Sequence, residues 1–308
     1  MRIVIYFLTA CFVLSGCVTV LGPPDSNTPT DAPKDLKDAA APNALPGPGA
    51  LEDPNKKEMP NVESLKTAEP TVPADTELDS LYKRFIEAKQ ARQFKAATDI
   101  AGQILARNPN DIKVFNALAV MSIDHGKYEL ARMFLDKILT KEPGNSAALN
   151  NLGVIELKTD NLRLALVQFK KAIGSDSRNK AAHANLGSIC LQYRNFQCAS
   201  TELMAAYDNG DQGTDTLNNL GFALAGAGHY DQAESYYDKA GAKNSSNVTV
   251  LLNYAVLLIE HANRPQDGIK VLNKLRFVAH EPAILEKVDY LAKKAEGKNP
   301  TPKDAPID

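Results

Sequence analysis

The chain has 308 residues, in which 35 lysines and arginines face 37 aspartates and glutamates, a formal net charge of −2 at pH 7. With the signs balanced and no basic run, nothing suggests a surface built for phosphate backbones, and no nucleic-acid partner is expected. Tryptophan is absent and aromatic residues make up 6%, too few for a platform that stacks sugars or bases.

At the start of the chain Arg2 precedes an apolar stretch from Ile3 to Val13, followed by Leu14-Ser15-Gly16-Cys17. The stretch is too short to span a bilayer comfortably, and small residues before a cysteine suit cleavage by a signal peptidase. This beginning resembles a bacterial lipoprotein signal. The resemblance implies that residues 1–16 are removed and that the Cys17 sulfur carries a covalent lipid, with the new amino terminus acylated as well. Each buried methylene contributes about 0.8 kcal/mol, so several acyl chains make a firm anchor. An ordinary secretory signal followed by a chance cysteine is the alternative. Val18 follows the cysteine, where an aspartate would signal inner-membrane retention. The resemblance therefore implies an outer-membrane, lipid-anchored protein facing the periplasm.

From Cys17 to Asp75, prolines recur between Pro23 and Pro73, with no aromatic residue and no isoleucine. Such a composition predicts a disordered tether. As a flexible coil it reaches on the order of 40 Å. It serves either as an inert spacer or as a segment that threads the cell wall or carries a docking motif.

Residues 76–281 hold six copies of one pattern, starting near Leu78, Ile112, Ser146, Lys180, Thr214 and Val248, each 34 residues after the last. A large-small pair stands at places seven and eight: Leu118-Ala119, Leu152-Gly153, Leu186-Gly187, Leu220-Gly221 and Tyr254-Ala255. A small residue stands at place twenty (Ala97, Ala131, Ala165, Ala199, Ala233) and usually a bulky one at place twenty-four (Leu135, Phe169, Leu203, Tyr237). Pro109 and Pro143, at place thirty-two, stop the second helix of their units. This pattern resembles the tetratricopeptide repeat. The resemblance implies an all-α, right-handed α-solenoid of six helix hairpins, in which stacked neighbours make one continuous core. The first copy carries Arg84-Phe85 at the close-approach pair and a small Ala101 at the bulky place, a volume swap. The sixth needs one inserted residue near Arg264-Pro265 to bring Gly268, Leu272 and Leu275 into register. Ile284, Val288 and Leu291 then predict an amphipathic capping helix over 282–296, and 297–308 reads as a disordered tail.

No catalytic or metal-binding constellation emerges, and neither an enzyme nor a cofactor beyond the lipid on Cys17 is expected. His125, His183, His229, His261 and His280 are dispersed and form no HExxH pattern. Gly221, Gly226 and Gly228 fall at repeat positions that packing and the helix turn explain. With Cys11 lost in the signal and Cys17 lipidated, Cys190 and Cys198 remain, at places eleven and nineteen of the fourth repeat. They are roughly symmetric about a turn and are either disulfide-bonded, as an oxidising periplasm permits, or separate small buried residues. Two sulfurs without nearby histidines do not make a four-coordinate metal set.

Asn151, Asn185, Asn219 and Asn253 occupy place six of four successive repeats. By the resemblance, first helices line a concave groove, so these amides form a ladder along it, suited to the peptide groups of an extended ligand. Contacts between repeats are the other use of asparagine at this place. Asn116, Asn150 and Asn218 stand at place five, and Val120, Val154, Phe222 and Val256 at place nine, giving a groove with an apolar floor and amide edges. The lysine and arginine pairs of carboxylate-clamp repeats are missing. Anchor, tether and repeats together describe an envelope adaptor for protein partners, a peptide segment or a secretin-like subunit. They resemble the tetratricopeptide pilotins of type IV pilus secretins, from which the long tether departs. An adaptor for cell-wall hydrolases and a component of an envelope-spanning motility machine are the alternatives.

Overall fold

A computed structural model describes residues 74–297, and all regular structure among them is helical. Thirteen helices follow one another: α1 (Ala74–Gln90), α2 (Phe94–Arg107), α3 (Ile112–Asp124), α4 (Tyr128–Lys141), α5 (Ser146–Lys158), α6 (Leu162–Ser175), α7 (Lys180–Gln192), α8 (Phe196–Asp208), α9 (Thr214–Gly226), α10 (Tyr230–Lys243), α11 (Val248–Val256), α12 (Pro265–Val278) and α13 (Pro282–Ala295). They pair as six antiparallel hairpins, with α13 last. The described residues fall into two compact units, divided in the chain between Ser177 and Arg178. Among the described residues the first unit holds α1 to α6 and the second α7 to α13. The signal, Cys17, the proline-rich tether and residues 298–308 lie outside the described residues.

The hairpins close where the sequence alternates volume. An ideal Cβ placed on Gly153 would come within 2.6 Å of the Phe169 ring, one on Gly187 within 2.7 Å of Leu203 Cγ, and one on Gly221 within 3.0 Å of the Tyr237 ring. Each pair joins place eight of a first helix to place twenty-four of its partner. The bulky residue fills the space a side chain would take, and Phe169, Leu203 and Tyr237 are fully buried. In the first hairpin the volumes are exchanged, and Phe85 shares one core with Ala97 and Ala101.

Helix ends follow local chemistry. Asp111, Asn145, Asn179 and Asn247 immediately precede the first helices of their hairpins, and each side chain accepts from a backbone N–H of the first turn at 2.9 to 3.0 Å, satisfying a donor that the helix leaves open. Between the helices of a hairpin the chain reverses through one left-handed residue: Arg92, Gly126, Asp160, Arg194, Gly228 and Asn263 all have positive φ. Only two of the six are glycine.

Two boundaries differ from the expectation. α1 begins four residues before Leu78, adding a turn ahead of the repeat. The residue inserted in the sixth repeat is absorbed not at Arg264-Pro265 but in a π-helical turn, Leu257–His261, that continues α11. A π turn takes up one extra residue without breaking the helix, and α12 then starts with Pro265 in its first turn, where its missing N–H costs nothing. Gly268, Leu272 and Leu275 are thereby returned to the core. Val288 and Leu291 of α13 are buried against the end of the second unit, and Lys294 reaches back to Glu260 at 2.7 Å.

Candidate protein-binding face

The asparagines of the first helices bond mainly to one another. In the first unit Asn151 Nδ2 donates to Asn116 Oδ1 at 2.9 Å, and Asn150 Nδ2 donates to Asn151 Oδ1 at 3.3 Å. The second unit repeats the pattern, with Asn253 Nδ2 donating to Asn218 Oδ1 at 3.1 Å and Asn218 Nδ2 to Asn219 Oδ1 at 3.3 Å. The link between hairpins therefore joins place six of one repeat to place five of the one before, 35 residues apart. Period arguments at a fixed place do not reveal it. Asn150, Asn218, Asn219 and Asn253 are buried, as is Phe222, whose ring packs edge-on against Phe196 at 5.9 Å. Asn116, Asn151 and Asn185 are half-buried, as are Val120 and Val154. What the first unit offers at this face is thus the half-buried set Asn116, Val120, Asn151 and Val154, with Asn116 Oδ1 held by its neighbour and its Nδ2 left as a donor. Lys113 and Ala147, one turn before these asparagines, are exposed.

Cys190 and Cys198 are joined as a disulfide with a Cα–Cα distance of 5.8 Å, linking α7 to α8. Spacing alone left this open, because bonding depends on whether the two helix faces turn the sulfurs toward each other.

The remaining polar groups act within the packing. His183 Nδ1 lies 2.7 Å from Glu202 Oε2 across the fourth hairpin. His125 and His261, both at place fourteen, play similar parts: each ring lies against the aromatic residue that opens the preceding second helix, tilted against Phe94 at 4.5 Å and stacked on Tyr230 at 5.1 Å. Arg132 of α4 donates to Glu156 of α5 at 2.6 Å, and this bond raises the arginine pKa above its ordinary value. Burial pushes up the Tyr237 and Tyr254 hydroxyls, the latter aided by Asp238 and Glu234. Among the described residues no group of three His, Cys, Asp or Glu side chains is placed to hold a metal ion, and no helix is long and apolar enough to cross a membrane.

Residues 214–240 match the tetratricopeptide repeat family model. The fold is that of tetratricopeptide repeats. Among solved structures, the Pseudomonas aeruginosa pilF protein superposes with a TM-score of 0.53 at 21% identity, covering 63% of this chain and 87% of its own. YrrB, described as a tetratricopeptide protein with an unusual peptide-binding site, gives 0.51 at 18% identity over 60% of this chain and 94% of its own. The C-terminal part of a repeat protein from Cytophaga hutchinsonii gives 0.53 at 18% identity over 73% and 91%. Comparison with curated proteins gives no match.

Proposed function

We propose that this protein is a lipid-anchored envelope adaptor that holds a protein partner on the asparagine-edged face of its first helices and acts by binding, without turnover. The observation that carries the reading is the amide row itself. Asn116 and Asn151 are fixed by a bond between hairpins, so their remaining donors and acceptors are pre-oriented, and an extended peptide meets them without the cost of ordering free side chains. The valines at place nine add apolar area beside them. The disulfide between Cys190 and Cys198 fits an oxidising compartment, as does the Leu14-to-Cys17 signal with its lipidated cysteine. An outer-membrane site facing the periplasm rests on that signal and on Val18. Assembly of a pilus or secretion secretin is the specific form we favour, on the resemblance of a lipidated cysteine followed by six repeats to the pilotins.

A photo-crosslinking amino acid at the exposed Ala147, beside the asparagines, is compared with one at the exposed Lys171 of α6, in native envelopes analysed by mass spectrometry. The expected result is one envelope protein captured through Ala147 and not through Lys171. A secretin subunit supports the pilotin form, and a cell-wall hydrolase or motility protein replaces it with that partner. Equal capture from both positions overturns the groove.

A further inference from the structure

The second hairpin carries an opening that the asparagine face does not use. A cavity of about 280 Å³ lies between the start of α3 and the end of α4, with Pro109, Ile112 and Phe115 supplying apolar wall and Lys137 and Lys141 supplying charge. Both lysines are exposed. They stand four residues apart on one helix, a spacing at which like charges share a face and repel. Among the described residues no carboxylate pairs with either. Lys137 Nζ lies 5.9 Å from the Phe115 ring centre, and the Thr140 hydroxyl beside them is committed to the Asp136 carbonyl at 2.7 Å.

The repeat period supplies an internal comparison. Three repeats onward, Lys239 occupies the place of Lys137 and Tyr207 the place of Leu105. Lys239 Nζ lies 5.2 Å from the Tyr207 ring centre and 4.4 Å from that of Tyr236, and donates to the Tyr207 oxygen at 3.4 Å. A ring bearing an oxygen thus covers the lysine from within the chain. In the first repeat, Arg107 stands at the place of Lys141 and is covered by the Glu77 carboxylate at 2.8 Å. In the second repeat Leu105 stands at the place of Tyr207, and Asp111, at the place of Glu77, has its carboxylate taken up by the Val114 N–H, Asn108 and Tyr82 instead of Lys141. Leu105 has no ring and no polar end, and it packs into the core beside Phe115 and Ile112. The cavity opens where the ring is missing and the Asp111 carboxylate is engaged elsewhere.

We infer that this cavity binds the C-terminal residue of a polypeptide when that residue is aromatic. The ring lies against Phe115 and Ile112 next to the Lys137 ammonium, and the terminal carboxylate accepts from Lys141. A chain terminus is the part of a polypeptide that joins an aromatic ring to a carboxylate on one residue. A charge-assisted bond of this kind is about twice as strong as a neutral one, and a cation over a ring face adds to it.

The test is calorimetric titration of the full-length chain with the peptide Gly-Ser-Gly-Ser-Phe as its free acid, with its C-terminal amide, and with N-acetylphenylalanine. The free acid is expected to bind saturably and the amide about tenfold more weakly. Lys141→Gln should bring the acid down to the affinity of the amide, and Lys137→Gln should weaken both peptides. Both lysines are exposed, and an unchanged melting curve verifies that each variant is folded. Absence of binding by the acid, equal affinity for acid and amide, or an unaffected Lys141→Gln variant overturns the site. N-acetylphenylalanine binding as tightly as the pentapeptide overturns the polypeptide terminus and leaves small aromatic acids as the ligand. None of these results depends on what crosslinks at Ala147.

Discussion

Gly187 and Gly241 are both helical glycines of the second unit, yet an added methyl group has opposite effects at the two. In the middle of a helix alanine is favoured over glycine by about 1 kcal/mol. At Gly241, in the last turn of α10, a Cβ meets nothing within 4 Å, so Gly241→Ala keeps part of that gain and should raise the melting temperature. At Gly187 the same Cβ would sit 2.7 Å from Leu203 Cγ and 3.3 Å from the Leu203 backbone nitrogen. Relief there requires the two helices to part, and overpacking of this kind costs about 1–3 kcal/mol. Gly187→Ala should therefore lower the melting temperature; a rise at both positions would show that α7 and α8 are not in close contact. Arg92 tests the turn in the same way. It holds φ at +54° and is exposed, and a left-handed conformation costs a side-chain-bearing residue roughly 1–2 kcal/mol that glycine does not pay. Part of this is offset by the greater freedom of glycine in the unfolded chain, so Arg92→Gly should stabilise by roughly 0.5–1 kcal/mol in denaturant titration. A loss of stability would mean that the arginine makes a contact worth more than the strain.

Between elements, the contact most exposed to disruption is the ion pair from Arg132 of α4 to Glu156 of α5, where the glutamate side chain is 8% exposed. Glu156 Oε2 is buried without a hydrogen-bond partner, so the carboxylate is held through the bond that Oε1 accepts from this arginine. Removing one member of a buried pair typically costs about 3–5 kcal/mol, whereas replacing both by apolar residues is often neutral. Arg132→Met alone should destabilise strongly, and adding Glu156→Leu should restore most of the loss. Additive losses in the double variant would mean that the pair is not coupled. These elements were legible in the sequence to different degrees. The hairpins follow from volume alternation at places eight, twenty and twenty-four, because close packing leaves those positions little choice. The helix starts are marked by Asp111, Asn145, Asn179 and Asn247, whose recurrence with the period is the sequence signal of their N-caps. The π turn is not legible, because the sequence reveals that a residue is inserted without revealing which hydrogen bonds absorb it. The amide links escaped for a geometric reason: they run from place six to place five, so a register that compares equal places sees a row of asparagines and not their bonds. Arg132 with Glu156 and His183 with Glu202 were invisible for the same reason, since each pair joins unlike places on different helices.

For the whole molecule, the decisive question is what holds it at its place of work, and Cys17 answers for the proposed anchor. No described helix is long and apolar enough to cross a membrane, and the proposed function places membrane attachment on lipid carried by that one sulfur and the amino group beside it. One acyl chain holds a protein only marginally, and stable anchoring takes at least two. Loss of the sulfur should remove the signal for cleavage as well as the first lipid, which leaves no partial state with a weaker hold. Cys17→Ala should abolish incorporation of labelled palmitate and shift the protein from the outer-membrane fraction to a soluble or unprocessed form. The Cys190–Cys198 bond provides an internal check on the route taken: if the variant is still exported, those two thiols stay protected from alkylation until a reductant is added, and if it is retained in a reducing compartment they are alkylated at once. Palmitate incorporation that survives Cys17→Ala would overturn the lipoprotein reading, whatever the fractionation shows.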